Sequence, residues 1–242
     1  MRTIAILPMK RFTEAKSRLS TGIGGGARQA LAQAMFADVL ASLRRVQGLD
    51  AVAVVTSDHE VEAALIGEPV TLLPDEERAG QSAATLVGVR HALVAGFERV
   101  LLVPGDAPLM DAAVIDDLLL RSQADSLDLV IVPDRHRTGT NALLISPPGA
   151  FEPSFGPGSL ERHTSAARSG GLTFRVDEIE SLMLDVDTPE DLDALIGVLE
   201  SERRVAPRTR GSILQLGRME GSGLAAAAGR IRDAVTGGPR TP

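Results

Sequence analysis

Asp106 stands at the end of an apolar run: Arg99 is followed by Val100-Leu101-Leu102-Val103, then by Pro104-Gly105-Asp106-Ala107-Pro108. An unbroken aliphatic run of this length reads as a strand buried on both faces, and Pro104 and Gly105 stop it. A carboxylate at the carboxyl end of a central parallel strand lies where open α/β sheets bind ligands. There it is placed to hold a divalent metal over a phosphate. Taken alone, Asp106 reads first as a turn residue capping the next helix. Two distant segments favour the chemical reading.

The first is the stretch from Leu7 to Ser20, which directly follows the first apolar run and carries Lys10, Arg11, Lys16 and Arg18. A cluster of cations on a strand-to-helix loop suits a triphosphate; the alternative is a solvated basic loop. The second is Leu184-Asp185-Val186-Asp187. If this piece is extended, both carboxylates point the same way, because a strand repeats every two residues. With Asp106 they make a candidate Mg²⁺ site. Thr188 reads as a helix N-cap, Pro189 as the first helical residue, and Glu190 and Asp191 as favourable first-turn acids. Capping accounts for Thr188 to Asp191 but not for the two acids before them.

Other segments are less specific. Gly22-Ile23-Gly24-Gly25-Gly26 begins about 14 residues after the strand end at Leu7, too far for a dinucleotide fingerprint, and reads as a turn before a helix. No Walker A sequence occurs. Arg137-Thr138-Gly139-Thr140-Asn141 and Phe155-Gly156-Pro157-Gly158-Ser159 are small-residue loops able to present N–H groups and hydroxyls to an anion, or simply to turn. His59, His91, His136 and His163 lack metal-ligand spacing and read as surface or structural.

These residues need a scaffold that brings them to one edge. The 242 residues are 44% hydrophobic, enough for a sizeable core. Strands are expected at Thr3–Leu7, Ala51–Val55, Val70–Leu73, Val100–Val103, Leu129–Val132, Ala142–Ile145 and Leu172–Val176. Helices are expected at Ala27–Val46, Glu60–Leu65, Ser82–Ala95, Ala112–Ser122, Leu160–Ser169 and Pro189–Glu202. The alternation predicts an α/β fold: a single domain over residues 1–203 with a mostly parallel sheet flanked by helices. The close-spaced strands from Leu129 to Val176 suit an antiparallel edge or flap. Residues 204–242 change character, with Pro207, Gly221-Ser222-Gly223 and Gly237-Gly238-Pro239, and read as a C-terminal tail that is flexible or forms a short helix near Leu224–Val235.

Composition narrows the function. A formal net charge of -7 argues against a general nucleic-acid or membrane-surface binder. The 2% aromatic content, with no Trp or Tyr, argues against base-stacking platforms. Without Cys there are no disulfides, thiolate catalysis or cysteine-ligated zinc. With no signal peptide or membrane-length stretch, a cytoplasmic location is expected.

The segments Pro8…Lys16-Ser17-Arg18-Leu19, Pro104-Gly105-Asp106-Ala107-Pro108, Thr138-Gly139-Thr140-Asn141, Phe155-Gly156…Gly158-Ser159 and Asp185-Val186-Asp187-Thr188-Pro189 resemble, in order, the CofC/FbiD guanylyltransferases of the MobA-like nucleotidyltransferases. The resemblance covers Arg2 to Leu199. It implies a nucleotide-diphospho-sugar transferase fold and transfer of GMP from GTP to a phosphorylated three-carbon acid in coenzyme F420 biosynthesis. The acid is phosphoenolpyruvate, 2-phospho-L-lactate or 3-phosphoglycerate. It further implies Mg²⁺, with Mn²⁺ as alternative, on Asp106, Asp185 and Asp187. The acid would lie on Lys16, Thr140, Gly156 and Ser159, with Lys16 and Asp106 catalytic. The nucleotide would lie near Pro8, Lys10, Arg18, Gly80 and Ser82. Many relatives carry Gly-Leu-Asn where this chain has Gly80-Gln81-Ser82, a loop expected near the base. A molybdenum-cofactor-type transferase and a catalytically silent binding module of the same fold are the alternatives. A homodimer is left open.

Overall fold

The computed structural model describes residues 1–12, 16–21, 23–76, 80–219 and 224–236. Gly22 and the glycine stretches 221–223 and 237–239, singled out above, lie outside the described residues, as do residues 13–15 of the basic segment.

Among the described residues seven strands form one sheet: β1 (Thr3–Pro8), β2 (Ala51–Thr56), β3 (Thr71–Pro74), β4 (Arg99–Leu102), β5 (Leu129–Pro133), β6 (Thr140–Ile145) and β7 (Phe174–Val176), in the order β3-β2-β1-β4-β6-β5-β7. β1 pairs in parallel with both β2 and β4, and β2 with β3. β6 runs antiparallel to β4 and to β5, whereas β7 is parallel to β5. The antiparallel strand is therefore inside the sheet, not at an edge or in a flap. The reason is connection length: the few residues between Pro133 and Thr140 can close a hairpin but cannot make the crossover that parallel pairing requires. β6 is buried along its whole length, as an interior strand must be.

Strand alternation builds two cores. Ala5, Leu7, Val54, Leu101 and Leu144 face α1 (Gly25–Leu43) and α4 (Ala112–Ala124), with α2 (His59–Ala64) at the rim. Ile4, Ile6, Val55, Leu102 and Leu143 face the other way, toward α3 (Gln81–Val94) and α5 (Ser159–Ser169). The period of two that makes these runs strands also assigns each side chain to its layer.

The C-terminal segment differs from the tail expected. After the short α6 (Glu180–Met183) and α7 (Pro189–Ser201), the chain forms α8 (Pro207–Leu216) and α9 (Ala225–Thr236). Leu192, Leu195 and Leu199 of α7, Ile213 and Leu216 of α8 and Ile231 of α9 bury against Leu31 and Met35 of α1 in a third core. The cause lies in α1, whose buried face is wide: Leu31 and Met35 lie at one side of it and Phe36, Val39 and Leu40 at the other. A face wider than a single stripe needs cover from two elements; the sheet covers one side of it and the C-terminal helices the other. At Gly217 a β-carbon would stand 2.3 Å from the Ala228 side chain, so α8 and α9 meet only because this residue has none.

Asp38 fastens the arrangement. It lies on α1, 2% exposed, and its carboxylate accepts the backbone N–H of Arg208 at 3.1 Å and both the N–H and hydroxyl of Thr209 at 2.8 Å. It thus caps α8, whose own N-cap residue, Ala206, makes no side-chain bond. Asp38→Ala should lower stability by roughly 2–3 kcal/mol, a lost cap plus buried donors left unpaired. Asp38→Asn should cost less, because one acceptor oxygen remains. Urea denaturation followed by circular dichroism measures both.

Candidate active site

The chain leaves β1 toward β2 on one side, and β4 lies on the other. The carboxyl ends of these two strands mark the point where connections diverge, the place in such sheets where a crevice opens. A cleft of about 1050 Å³ lies there. Lys16 reaches it from the loop after β1 and Asp106 from the loop after β4. At Gly105 a β-carbon would lie 2.0 Å from Met9 Sδ, so the two loops approach this closely only with glycine there. Lys16 is buried, with φ +60°, a left-handed conformation uncommon for a residue with a side chain. Its ammonium donates to Asp106, and to Asp187 Oδ1 at 3.2 Å. Burial alone would lower the Lys16 pKa; the two carboxylates outweigh it and hold the group above its ordinary 10.5. Lys16 is a fixed positive charge.

Asp187 and Asp185 both line the cleft, while Val186 between them is fully buried in the third core, the alternation expected of an extended segment. The Val186 N–H donates to the Asp106 carbonyl at 3.2 Å, fastening this segment to the β4 loop. Asp185 Oδ1 accepts the Asn141 side-chain N–H at 3.1 Å. Burial and then the charges of Asp106 and Asp187 push its pKa up to about 6. Asp106 does not cap α4: Asp111 does, accepting the Ala113 N–H at 2.8 Å. Among the described residues no three His, Cys, Asp or Glu side chains are gathered as ligands for a metal; the Lys16 ammonium lies between two of the three candidate acids.

Capping at Thr188 takes the expected form and does more. Asp191 and Thr188 form a capping box at the start of α7. The Asp191 carboxylate also accepts the Asp187 N–H at 3.1 Å and pairs with the Arg135 guanidinium at 2.7 Å. One acid thus both starts a helix and orients Asp187.

The facing wall holds Thr140, Gly156 and Ser159. The Thr140 N–H donates to Ser159 Oγ at 2.8 Å, joining the start of β6 to the first residue of α5. The loop before α5 is drawn in by Arg162, whose guanidinium donates to the carbonyls of Ser154 at 3.0 Å and Phe155 at 3.3 Å. Behind Thr140 lies His163, 1% exposed, its ring pKa pushed down to about 4 by burial and by the Arg162 charge.

Pro8, Lys10, Arg18 and Gly80 line the same cleft. Lys10 and Arg18 are exposed, so the solvated-loop reading fits these two cations and fails at Lys16. Ser82 is not on the cleft wall; its hydroxyl accepts the Phe155 N–H at 2.9 Å, linking α3 to the loop before α5. Sequence reasoning passed over Asp58 and Asp75 and quoted Gln81 and Asn141 only within loops, without a role of their own; all four are on the wall. Asp58 carried a signal: it precedes an acid-rich helical start, and it caps α2 while accepting the Phe12 N–H at 2.9 Å.

Residues 3–203 match the family described as "Guanylyl transferase CofC like". The chain belongs to this family. It is 48% identical to a phosphoenolpyruvate guanylyltransferase of Conexibacter woesei, over 89% of this chain and 97% of that one. Its fold resembles that of a Desulfovibrio desulfuricans protein described as a nucleotide-diphospho-sugar transferase, with TM-score 0.70, 18% identity, and 97% and 99% of the two chains covered. It also resembles a Mycobacterium tuberculosis protein solved as a manganese complex, with TM-score 0.52, 15% identity and coverages of 81% and 98%. Among the described residues no helix is long and apolar enough to cross a membrane.

Two outcomes are expected. Asp191→Ala should cost about 1–2 kcal/mol through the lost cap, and should also lower kcat because Asp187 loses its orienting bond; thermal melting and kinetics check the two effects separately. In the unfolded chain His163 binds a proton near pH 6.5, but in the folded chain only near 4. Stability should therefore fall as pH drops from about 6.5 to 4, by at most about 3 kcal/mol. His163→Gln should lack this increment, as denaturation midpoints measured across that range would reveal.

Proposed function

We propose that this protein transfers GMP from GTP to phosphoenolpyruvate, releasing pyrophosphate, with 2-phospho-L-lactate as the alternative acceptor in the same coenzyme F420 route. The observation that carries the reading is the Lys16 ammonium bound by Asp106 and Asp187 in one cleft with Thr140, Gly156 and Ser159. Family membership sets the reaction class, and the name of the 48% identical relative favours phosphoenolpyruvate. Phosphoenolpyruvate and 2-phospho-L-lactate differ as a methylene against a methyl on the phosphate-bearing carbon, worth about 1–3 kcal/mol in a pocket, whereas 3-phosphoglycerate carries its phosphate one carbon further from the carboxylate.

The chemistry needs no general base. The second pKa of a phosphate monoester is near ~6, so the acceptor is mostly dianionic at neutral pH. One of its oxygens forms a bond to the α-phosphorus of GTP as the bond to the β-phosphate oxygen breaks, and pyrophosphate leaves with that electron pair. The obstacle is repulsion between two polyanions. Lys16, held charged by its two carboxylates, offsets it, and the hydroxyls of Thr140 and Ser159 orient the acceptor. Lys10 and Arg18 extend the positive rim toward the triphosphate.

The acids suit a hard divalent cation. Their donors are all oxygens, and Asp185, its pKa raised first by burial and then by the charges of Asp106 and Asp187, lines the same cleft as those two acids. Held by Asp106, Asp185 and Asp187, Mg²⁺, or Mn²⁺ in its place, would supply further neutralisation of the phosphates.

Purified protein incubated with GTP, MgCl₂ and each of the three phosphoacids in turn should give a GDP-linked product by mass spectrometry, with phosphoenolpyruvate most efficient. No product with any acid would remove the reading. Asp106→Asn and Asp187→Asn should each lower kcat/KM by about 100-fold or more, on the scale of lost electrostatic stabilisation, measured below a melting temperature that also falls because each removes a carboxylate from the buried Lys16 ammonium. Lys16→Ala should lose more activity than Lys16→Arg, which keeps the charge but alters reach. Steady-state kinetics with the acid varied at saturating GTP distinguishes them. Full activity after exhaustive EDTA treatment would exclude the metal.

A further inference from the structure

One buried imidazole beside the cleft has no part in the reaction as described. His163 sits on α5 with the rings of Phe151 and Phe155 edge-on, centroids 5.5 and 5.4 Å away. Its Nε2 accepts the Ser154 backbone N–H at 2.9 Å, and its Nδ1 lies 2.9 Å from Thr140 Oγ1. A backbone N–H only donates, so Nε2 carries a lone pair. A neutral ring has one proton; here it is on Nδ1 and is donated to Thr140 Oγ1. With the ring pKa pushed down to about 4, this tautomer persists at neutral pH.

The consequence falls on two hydroxyls of the cleft wall. Thr140 Oγ1 accepts from His163, and Ser159 Oγ accepts from the Thr140 N–H. Each hydroxyl has one proton to give, and among the described residues neither gives it to the protein. We propose that His163 is a positioning residue: by donating to Thr140 it commits the Thr140 hydroxyl to donate, beside that of Ser159, to an oxyanion of the phosphoacid. A ring with the opposite tautomer would take the Thr140 proton for itself and turn oxygen lone pairs toward an anion. This rests on the reading of Thr140 and Ser159 as phosphoacid ligands.

Three substitutions separate the two ring nitrogens. In His163→Asn the amide nitrogen can stand where Nδ1 stands and donate to Thr140. In His163→Gln the longer side chain puts its amide at the Nε2 position and vacates the other. His163→Phe keeps the ring and removes both nitrogens. Phosphoenolpyruvate is titrated calorimetrically into each protein with MgCl₂ and a non-transferable α,β-methylene analogue of GTP. Gln and Phe should weaken phosphoenolpyruvate about tenfold, the scale of one hydrogen bond to a charged group, while the nucleotide Kd changes less than about twofold; Asn should recover most of the loss. Long-range ¹H–¹⁵N spectra of the wild type should show the His163 proton on Nδ1. A proton on Nε2, unaltered phosphoenolpyruvate affinity in Gln and Phe, or parallel loss of both ligands tracking melting temperature would overturn the proposal. If the wild type makes no product with any acid, the guanylyl-transfer reading fails by itself. Inorganic phosphate then replaces phosphoenolpyruvate in the same titration, and the same outcomes decide for or against His163.

Discussion

Everything at the cleft depends on one cation held among acids. Lys16, Asp106 and Asp187 come from three segments distant in sequence, and their opposite charges meet at one point of the cleft. The ammonium is buried, which by itself would destabilise it, and it is tolerated because two carboxylates surround it. The acids also act on one another: the Asp185 pKa is raised first by burial and then by the charges of Asp106 and Asp187. Such an arrangement gains little net stability, because the desolvation of the charges offsets their attraction. What it provides is a concentration of charge poised for a ligand that brings its own.

The supports of that cluster are ordinary elements of the fold put to a second use. Asp191 caps α7 and turns Asp187. Asp58 caps α2 and holds the loop after β1 through Phe12. The Val186 side chain is core, while its N–H fastens the acidic segment to the Asp106 loop. Asp191 and Asp58 each join a helix start to a loop of the cleft, and Val186 joins two of its loops to each other. On the far wall, His163, Thr140 and Ser159 do the same between α5 and β6.

The C-terminal helices show how a sequence can be misread by looking at one segment at a time. Residues 204–242 are rich in Gly, Ala and Arg and lack aromatics, the composition of a tail. The information that they pack was in α1 instead. Its buried face is wider than the sheet alone covers, with Leu31 and Met35 at one side and Phe36, Val39 and Leu40 at the other. Ser82 is a similar case: nearness in sequence to a cleft glycine did not put it on the cleft, because the first turn of α3 directs its hydroxyl to the Phe155 N–H.

The sequence by itself determined the strands and most helices, since periods of two and near four are local properties of hydrophobic order. It marked Asp106, Asp185 and Asp187 as candidates, because each stands at or just after an apolar run and capping leaves its charge unexplained, and Lys16 through the cation cluster after the first strand and the family resemblance. Only the tertiary structure decided which way β6 runs, that Lys16 rather than Lys10 or Arg18 is the buried cation, and that Asp38 caps a helix from the far end of the chain. It also decided that His163, with no motif around it, sets the polarity of a hydroxyl in the cleft. Each of these depends on contacts between residues remote in sequence, and local patterning carries no information about which distant group will supply a partner for a buried charge or an unpaired donor.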